Sequence, residues 1–160
     1  MPRSLGELTL AAPPSRLRRD TSPSPFDKLR VNGEDKEKKM RFAGYAAIFD
    51  APDHGGDIVR KGAFARAARA GLPLLWQHDR ARRIGFVERL EEDARGLRVI
   101  AQMDADAPPV ASGAGLSFGY KVRRAESSGT YRELKDLDLI EVSIVNHPMQ
   151  PQARVLAVED

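Results

Sequence analysis

One serine in this sequence has the surroundings that a nucleophile needs. It is Ser117, in the stretch GAGLSFGYKV (residues 113–122), with Gly115 and Gly119 two positions to either side. If the stretch is a strand, its large side chains share one face and the Ser117 hydroxyl lies on the other. Flanking glycines let other backbone approach closely and leave N–H groups free to face a ligand, and a hydroxyl beside such donors suits acyl transfer. The simpler alternative is a small strand residue beside a bulge.

A serine nucleophile requires a base, and the sequence offers three histidines. His78 ends the apolar stretch in PLLWQHDR, so the core would hold its backbone while the imidazole reaches solvent at the strand end. His54 lies in the Gly- and Asp-rich segment DAPDHGGD, and His147 stands before a proline, so both are expected in turns. By position His78 is therefore the best candidate base. The alternative is a strand-end histidine that is hydrogen-bonded to backbone.

The third candidate is a carboxylate in an apolar run. Glu141 is the only charged residue in LIEVSIV, residues 139–145. An ionised carboxylate inside a protein is costly unless it is paired and hydrogen-bonded, and in a catalytic triad it orients the histidine. Period-two alternation places Glu141 on a face with Leu139, Ser143 and Val145. Two interpretations stay open: an orienting carboxylate, or an edge-strand glutamate that faces water.

Metal binding is a weaker interpretation of one acidic segment. Asp50, Asp53, His54 and Asp57 could offer ligands to a divalent cation. Their spacing is not that of an EF-hand loop, and the sequence has no HExxH motif. Because the chain has no cysteine, disulfides, thiolate zinc sites and cysteine nucleophiles are excluded. We therefore expect neither a metal nor another cofactor.

Composition divides the 160-residue chain into two parts. Residues 1–39 are rich in Pro, Ser and charge, which predicts a disordered leader, and residues 40–160 form the predicted domain. The net charge is +3, but apart from an excess of arginine at 80–83 the basic residues are scattered. They lack interleaved aromatics, which disfavours nucleic-acid binding. No apolar run is long enough for a membrane span, so we expect a soluble, cytoplasmic protein.

Strand-type segments dominate the predicted domain. Short apolar or alternating segments at 41–49, 96–103, 116–122 and 139–145 are typical of β-strands. The segment 61–71 instead has helical spacing and ends at a glycine, which predicts a helix. The predicted fold class is therefore mostly β (α+β), a closed or partly open β-barrel or a sandwich with helices packed outside.

Several motifs, in order along residues 41–158, together resemble one known family. They are GYAAIFD, GDIVRKGAF, LLWQHD, IGFV, GLSFGYKV and LDLIEVSIVNHPMQPQA. This set is similar to the prohead (procapsid) maturation proteases of HK97-type tailed phages, which are serine peptidases with the fold of herpesvirus assemblins. Prophages and gene transfer agents encode similar proteins, so either origin fits the resemblance.

The resemblance implies a role for each candidate residue. His78 matches the family's histidine in WQHD as general base, and Ser117 matches its serine in GLSxGY as nucleophile. Glu141 occupies the place of the second histidine of the assemblins and is given the orienting role, with His147 as the reserve candidate. With a histidine base, the rate of cleavage should fall as the pH is lowered through the ordinary histidine pKa of about 6.5, because the imidazole becomes protonated.

The resemblance also implies partners and a setting. The expected fold is a mostly β, herpesvirus-protease-like barrel ringed by helices, and the expected substrate is the major capsid protein or a scaffold (delta) segment, with self-cleavage. The expected place is the assembling procapsid in the cytoplasm of a bacterial host, where the protein would be a homo-oligomer. One departure is the short segment APPVASGA, residues 107–114, where the family has a longer helical segment. It leaves a catalytically inactive assembly or scaffolding protein of the same fold as the alternative.

Overall fold

The computed structural model describes residues 39–160, and these form eight β-strands in one sheet. The predicted leader, residues 1–39, therefore lies outside the described residues except for its last position. The strands are β1 Arg41–Ile48, β2 Asp57–Val59, β3 Pro73–Trp76, β4 Asp79–Glu92, β5 Gly96–Met103, β6 Gly115–Ser128, β7 Tyr131–Val145 and β8 Val155–Glu159. This part of the chain contains no helix long and apolar enough to cross a membrane.

Strand β7 lies at the centre of the region that carries the candidate residues. It pairs with β6 in a long antiparallel hairpin, and on its other edge it runs parallel to β2 and β3. From β3 the sheet continues through β4, β5 and β1 to β8. The strands predicted at 41–49, 96–103, 116–122 and 139–145 are confirmed, the last two as parts of the longer β6 and β7.

Alternation along β5 shows how the sequence builds the core. Leu97, Val99, Ala101 and Met103 share one face, as their spacing predicts, and all four are buried. They belong to a hydrophobic cluster to which every strand contributes at least one side chain. Burial of apolar surface contributes about 25 cal/mol per Å², so this cluster is the main favourable term that holds the sheet together.

The predicted fold class is confirmed in its main feature, because the described residues are mostly strand. The strand ladders do not close into a barrel, since β2 and β8 end the path of paired strands. An isolated bridge joins Gly115, the first residue of β6, to Arg154, just before β8. Leu116 N also donates to Ala153 O at 2.8 Å. The start of β6, which carries Ser117, is therefore held both by β7 and by the residues that precede β8.

The helix predicted over 61–71 is wrong, because this segment folds as consecutive turns. Its hydrogen bonds join residues three apart, as from Ala65 N to Gly62 O at 3.1 Å, and Gly62 has a φ of 94°. The carbonyl O of Ala63 accepts from Leu137 N in β7 at 2.9 Å instead of from the next helical turn. Bonds to the sheet thus replace those of a helix, and the described residues contain no α-helix packed outside the sheet.

Candidate active site

His78 lies at the tip of a tight turn between β3 and β4. Trp76 and Asp79 are paired across the turn, so only Gln77 and His78 lie between the strands. Both have positive φ, 53° and 60°, as in a two-residue type I′ hairpin turn. Asn and Gly are the usual residues in such turns, so a Gln-His pair here costs stability. Backbone strain of this kind is concentrated at functional sites.

Hydrogen bonds to the end of β7 hold this turn in place. Gln77 N donates to Ile144 O at 2.9 Å, and Gln77 Oε1 accepts from Asn146 N at 3.2 Å. His78 N donates to the hydroxyl Oγ of Ser143 at 3.2 Å. The strand-end position predicted for His78 is confirmed, and these bonds fix the backbone beneath an exposed imidazole.

The imidazole of His78 is paired with Glu141. Nδ1 of His78 lies 2.5 Å from Oε1 of Glu141, and the second carboxylate oxygen, Oε2, accepts a hydrogen bond from Ser143 Oγ at 2.5 Å. Glu141 is buried, with 5% of the residue exposed, whereas 43% of the His78 side chain is exposed. Both carboxylate oxygens have partners, as a buried charge requires. An edge-strand glutamate that faces water does not fit this burial.

A β-bulge in β7 places Glu141 and Leu139 on opposite sides of the sheet. Gly119 of β6 pairs with Glu141, and the next residue, Tyr120, pairs with Leu139, so Ile140 is an extra residue in β7. The extra residue interrupts the period of two. Leu139 therefore lies on the core side with Tyr120, and Glu141 lies on the opposite side. The expectation that Leu139 shares a face with Glu141 is wrong for this reason.

Ser117 lies in β6 on the same side of the sheet as Glu141 and Ser143. It pairs directly with Ser143, and side chains paired in this way project to one face with Cβ atoms about 5 Å apart. Its neighbours Leu116 and Phe118 pack toward the core, as alternation predicts. Ser117 is 6% exposed, and its Oγ makes no hydrogen bond with a described residue. The structure thus joins the candidate base to the candidate carboxylate and leaves Ser117 on the neighbouring strand, bonded to neither.

The two glycines beside Ser117 have different structural roles. A Cβ on Gly119 would lie 2.4 Å from Oε1 of Glu141, so glycine leaves room for the carboxylate above β6. A Cβ on Gly115 would lie 2.6 Å from the backbone O of Val145. The prediction that these glycines let other backbone approach closely is confirmed for Gly115, whereas Gly119 accommodates a side chain.

Pairing with Glu141 changes the protonation of His78. The hydrogen bond to Glu141 and the negative charge of that carboxylate raise the pKa of the imidazole above its ordinary value, although partial burial acts in the opposite direction. The protonated imidazole is therefore stabilised where it lies. This is the property required of a histidine that accepts a proton during a reaction.

The other two histidines lie outside the strands. His54 and His147 are both exposed, the first in the turn before β2 and the second in the bend after β7, as predicted. His147 was the reserve candidate for the third position. In the structure it is Glu141 that contacts Nδ1 of His78.

The acidic segment before β2 is organised by hydrogen bonds and ion pairs. Asp53 Oδ1 accepts from the backbone N of Gly55 at 2.8 Å and of Asp57 at 2.9 Å, which closes the turn. Asp57 in turn accepts two hydrogen bonds of 2.9 Å from Arg132. Among residues 39–160 no group of three or more potential ligands is arranged to hold a metal ion.

Two residues around the candidate base were not predicted from the sequence. Ser143 bonds both to Glu141 and to the backbone of His78, and Gln77 bonds the turn to β7 through its main chain and side chain. The available signal for Ser143 was a second polar residue, two positions from Glu141, in an apolar strand. Gln77 gave no comparable signal, because its role depends on a strand that lies far away in sequence.

Known proteins provide a separate comparison. A family model described as the Caudovirus prohead serine protease matches residues 27–160. The chain belongs to this family. The resemblance of its motifs to prohead maturation proteases is thereby confirmed, and so is the class of enzyme, a serine protease. The match begins at residue 27, within the segment predicted as a leader.

Individual relatives agree with this membership. The prohead protease of Enterobacteria phage HK97 is 27% identical over an alignment of 154 residues, and the match covers 84% of this chain and 67% of that protein. The crystal structure of KSHV protease in complex with a hexapeptide phosphonate inhibitor matches with a TM-score of 0.57 at 11% identity, covering 77% of this chain and 66% of that one. This second likeness concerns the fold alone and confirms the expected similarity to the fold of a herpesvirus protease. This chain spans about two thirds of the length of each of these two relatives.

Proposed function

We propose that this chain is an endopeptidase of procapsid maturation with Ser117 as nucleophile, His78 as general base and Glu141 as the orienting carboxylate. Family membership supports the class of reaction. The assignment of residues depends on one observation, the 2.5 Å contact between His78 Nδ1 and Glu141 Oε1. With Nδ1 occupied by the carboxylate, Nε2 is the ring nitrogen available to Ser117, as in a serine protease triad.

The proposed reaction begins with the removal of a proton from Ser117. As Oγ attacks the carbonyl carbon of the scissile peptide bond, Nε2 of His78 takes the proton, and Glu141 stabilises the imidazolium. His78 then gives this proton to the departing amine, which leaves an acyl-enzyme on Ser117. Water hydrolyses the acyl-enzyme by the same sequence of proton transfers. Backbone N–H groups near Ser117 or on a facing loop bind the negatively charged oxygen.

The placement of Ser117 is compatible with this role. It lies on the strand beside β7, on the face that carries Glu141, and its Oγ has no competing partner among the described residues. Hydrogen bonds between catalytic groups are often long in unliganded enzymes and tighten when substrate binds. A Ser117 hydroxyl that is not bonded to the imidazole is therefore compatible with the resting state of such an enzyme.

The proposed substrate and setting come from the family. We expect cleavage of the major capsid protein or of a scaffold (delta) segment, together with self-cleavage, by a homo-oligomer inside the procapsid of a bacterial host cell. A prophage or a gene transfer agent fits equally as the source. The isolated bridge between Gly115 and Arg154 supports closure of the sheet as the barrel expected for this fold.

Substitution of Ser117 tests the nucleophile directly. When Ser117→Ala is co-expressed with the major capsid protein, N-terminal processing of the capsid protein should slow by about 10⁴-fold or more, because no other group can form the acyl-enzyme. Mass spectrometry of the capsid protein measures the processed fraction with time. The matched control is Ser127→Ala, which removes an exposed hydroxyl near the tip of the β6–β7 hairpin and should process at the normal rate.

Two other outcomes have clear meanings. Normal processing by the Ser117→Ala variant would overturn the assigned nucleophile. If the unmodified chain processes neither the capsid protein nor itself, the inactive assembly or scaffolding protein becomes the better explanation. The segment that motivates this alternative, residues 107–114, forms a loop in the structure.

A further inference from the structure

We propose that Ser143 is a positioning residue of this site. Its hydroxyl holds the Glu141 carboxylate and the backbone of the His78 turn in fixed positions relative to each other. The inference rests on the proposed function, since it adds Ser143 to the triad proposed above. Ser143 touches the carboxylate and the backbone of the base. It would therefore act through Glu141 and His78 and not on the reacting atoms.

The hydroxyl of Ser143 makes two hydrogen bonds, one as donor and one as acceptor. It donates to Oε2 of Glu141 at 2.5 Å and accepts from the backbone N of His78 at 3.2 Å. A hydroxyl has a single proton, so donation to the carboxylate leaves its lone pairs for the N–H group. The same atom thus determines the rotation of the Glu141 carboxylate and the position of the backbone that carries the imidazole.

The place of Ser143 in the sheet explains why these bonds meet at one atom. On one side it pairs with Ser117 of β6, and on the other it pairs in parallel with Leu75 of β3, the strand that leads into the His78 turn. It is also fully buried, at 0% exposed. Water is therefore not at hand to replace either bond, and the residue links the three strands that carry the proposed triad.

Loss of the hydroxyl should disturb the carboxylate and the base together. Oε2 of Glu141 would lose its partner in a buried position, and bonds to a charged acceptor are among the stronger ones in proteins. The N–H of His78 would lose its acceptor in a turn that already has positive φ. Both changes release the imidazole from its present geometry, and a misplacement of about 1 Å can lower a catalysed rate by about 10²-fold.

The first test is Ser143→Ala in the full chain. With a peptide that spans the processed junction of the capsid protein, we expect kcat to fall by about 10²-fold and KM to change little. NMR titration of the His78 imidazole should show a pKa that moves down toward the ordinary value, because Glu141, the charged group that acts on this ring, is no longer held against Nδ1. The resonances of the exposed His54 and His147 serve as internal references.

A second pair of variants separates the hydroxyl from packing. Ser143→Thr and Ser143→Val place side chains of the same shape in the same buried position, and only threonine keeps the hydroxyl. The threonine variant should retain the His78 titration of the unmodified chain, and the valine variant should follow the alanine variant. The Tm of each variant, measured by thermal unfolding, shows separately how far the changed packing lowers the stability of the fold.

A merely structural role gives a different pattern. Ser143→Ala would then lower Tm but leave kcat and the His78 titration unchanged, and this result would overturn the proposal. Equal behaviour of the threonine and valine variants would overturn it as well. The titration requires no cleavage, so it still tests Ser143 if Ser117→Ala remains active. Continued cleavage by the Ser117→Ala variant would count against Ser117 as nucleophile and not against the role of Ser143.

Discussion

At the scale of single residues, the contact between His78 and Glu141 shifts the pH range in which the base is neutral. The sequence led to an expected acid-side fall in cleavage near a pKa of about 6.5. In the structure the hydrogen bond and charge of Glu141 raise the pKa of His78. A base must be neutral to accept a proton, so the fall in kcat/KM should lie at a higher pH than for an unpaired histidine.

Substitution of Glu141 by glutamine removes the charge and nearly preserves the shape. In Glu141→Gln the pKa of His78 should fall, so the acid limb of the kcat/KM profile should move to lower pH. The maximal rate should also drop, by up to about 10⁴-fold as in other triads, because the imidazolium loses its counter-charge. The measurement is kcat/KM of peptide cleavage across the acid and neutral range.

The matched control for this variant is Glu126→Gln. The Glu126 carboxylate pairs with Lys135 on the exposed part of the β6–β7 hairpin. Its loss should leave both the acid limb and the maximal rate unchanged. An acid limb that stays in place in Glu141→Gln would show that Glu141 does not determine the titration of the base.

At the scale of elements, the candidate site is built from three adjacent strands. β3 ends in the turn that carries His78, β7 supplies Glu141 and Ser143, and β6 supplies Ser117. Glu141 shares a face with Ser143 by alternation, and the bulge at Ile140 returns the preceding part of β7 to the core side at Leu139. Close contact between β6 and β7 also explains why glycine stands opposite Glu141.

Gly119→Ala tests this contact. The backbone of Gly119 does not require glycine, because its φ is not positive, but the new Cβ would lie 2.4 Å from Oε1 of Glu141. The carboxylate must move away from His78, so cleavage should fall by about 10²-fold or more. Overpacking of this kind should lower the free energy of unfolding by about 1–3 kcal/mol. Peptide cleavage and urea denaturation measure the two effects.

Gly55→Ala is the control for the same change in an exposed loop. There the added methyl meets the end of the Met149 side chain at 3.1 Å, which can move aside. Cleavage should remain normal. Unreduced cleavage by Gly119→Ala would show that the carboxylate can shift without loss of function.

At the scale of the whole molecule, the site depends on the same core that holds the sheet together. Leu74 of β3 is fully buried and pairs with Val142 of β7, so the strand that positions His78 is also a core strand. All eight strands contribute to the hydrophobic cluster. Stability and the geometry of the site should therefore be lost together when this cluster is weakened.

Leu74→Ala measures this dependence. Removal of a fully buried leucine side chain leaves a cavity and should lower the free energy of unfolding by about 2–5 kcal/mol. Leu156→Ala on β8 is the control, because that side chain is 50% exposed and its loss should cost no more than about 0.5 kcal/mol. Urea denaturation measures both values, and equal losses would contradict the packing described here.

The sequence by itself determined the features that depend on local pattern. The period of two predicted the buried face of β5 at Leu97 and Val99, because alternation is a property of any strand. Polar residues in apolar stretches identified Ser117, His78 and Glu141 as candidates, since burial of a polar group requires a reason.

The tertiary structure decided what depends on contacts between distant parts of the chain. It converted the helical pattern of 61–71 into turns, because bonds to the sheet replaced those of a helix. It inserted a bulge at Ile140, which placed Leu139 and Glu141 on opposite sides of the sheet, and it gave Ser143 two partners. These outcomes follow from strand pairing, and pairing joins residues such as Gly119 and Glu141 whose separation in sequence gives no local signal.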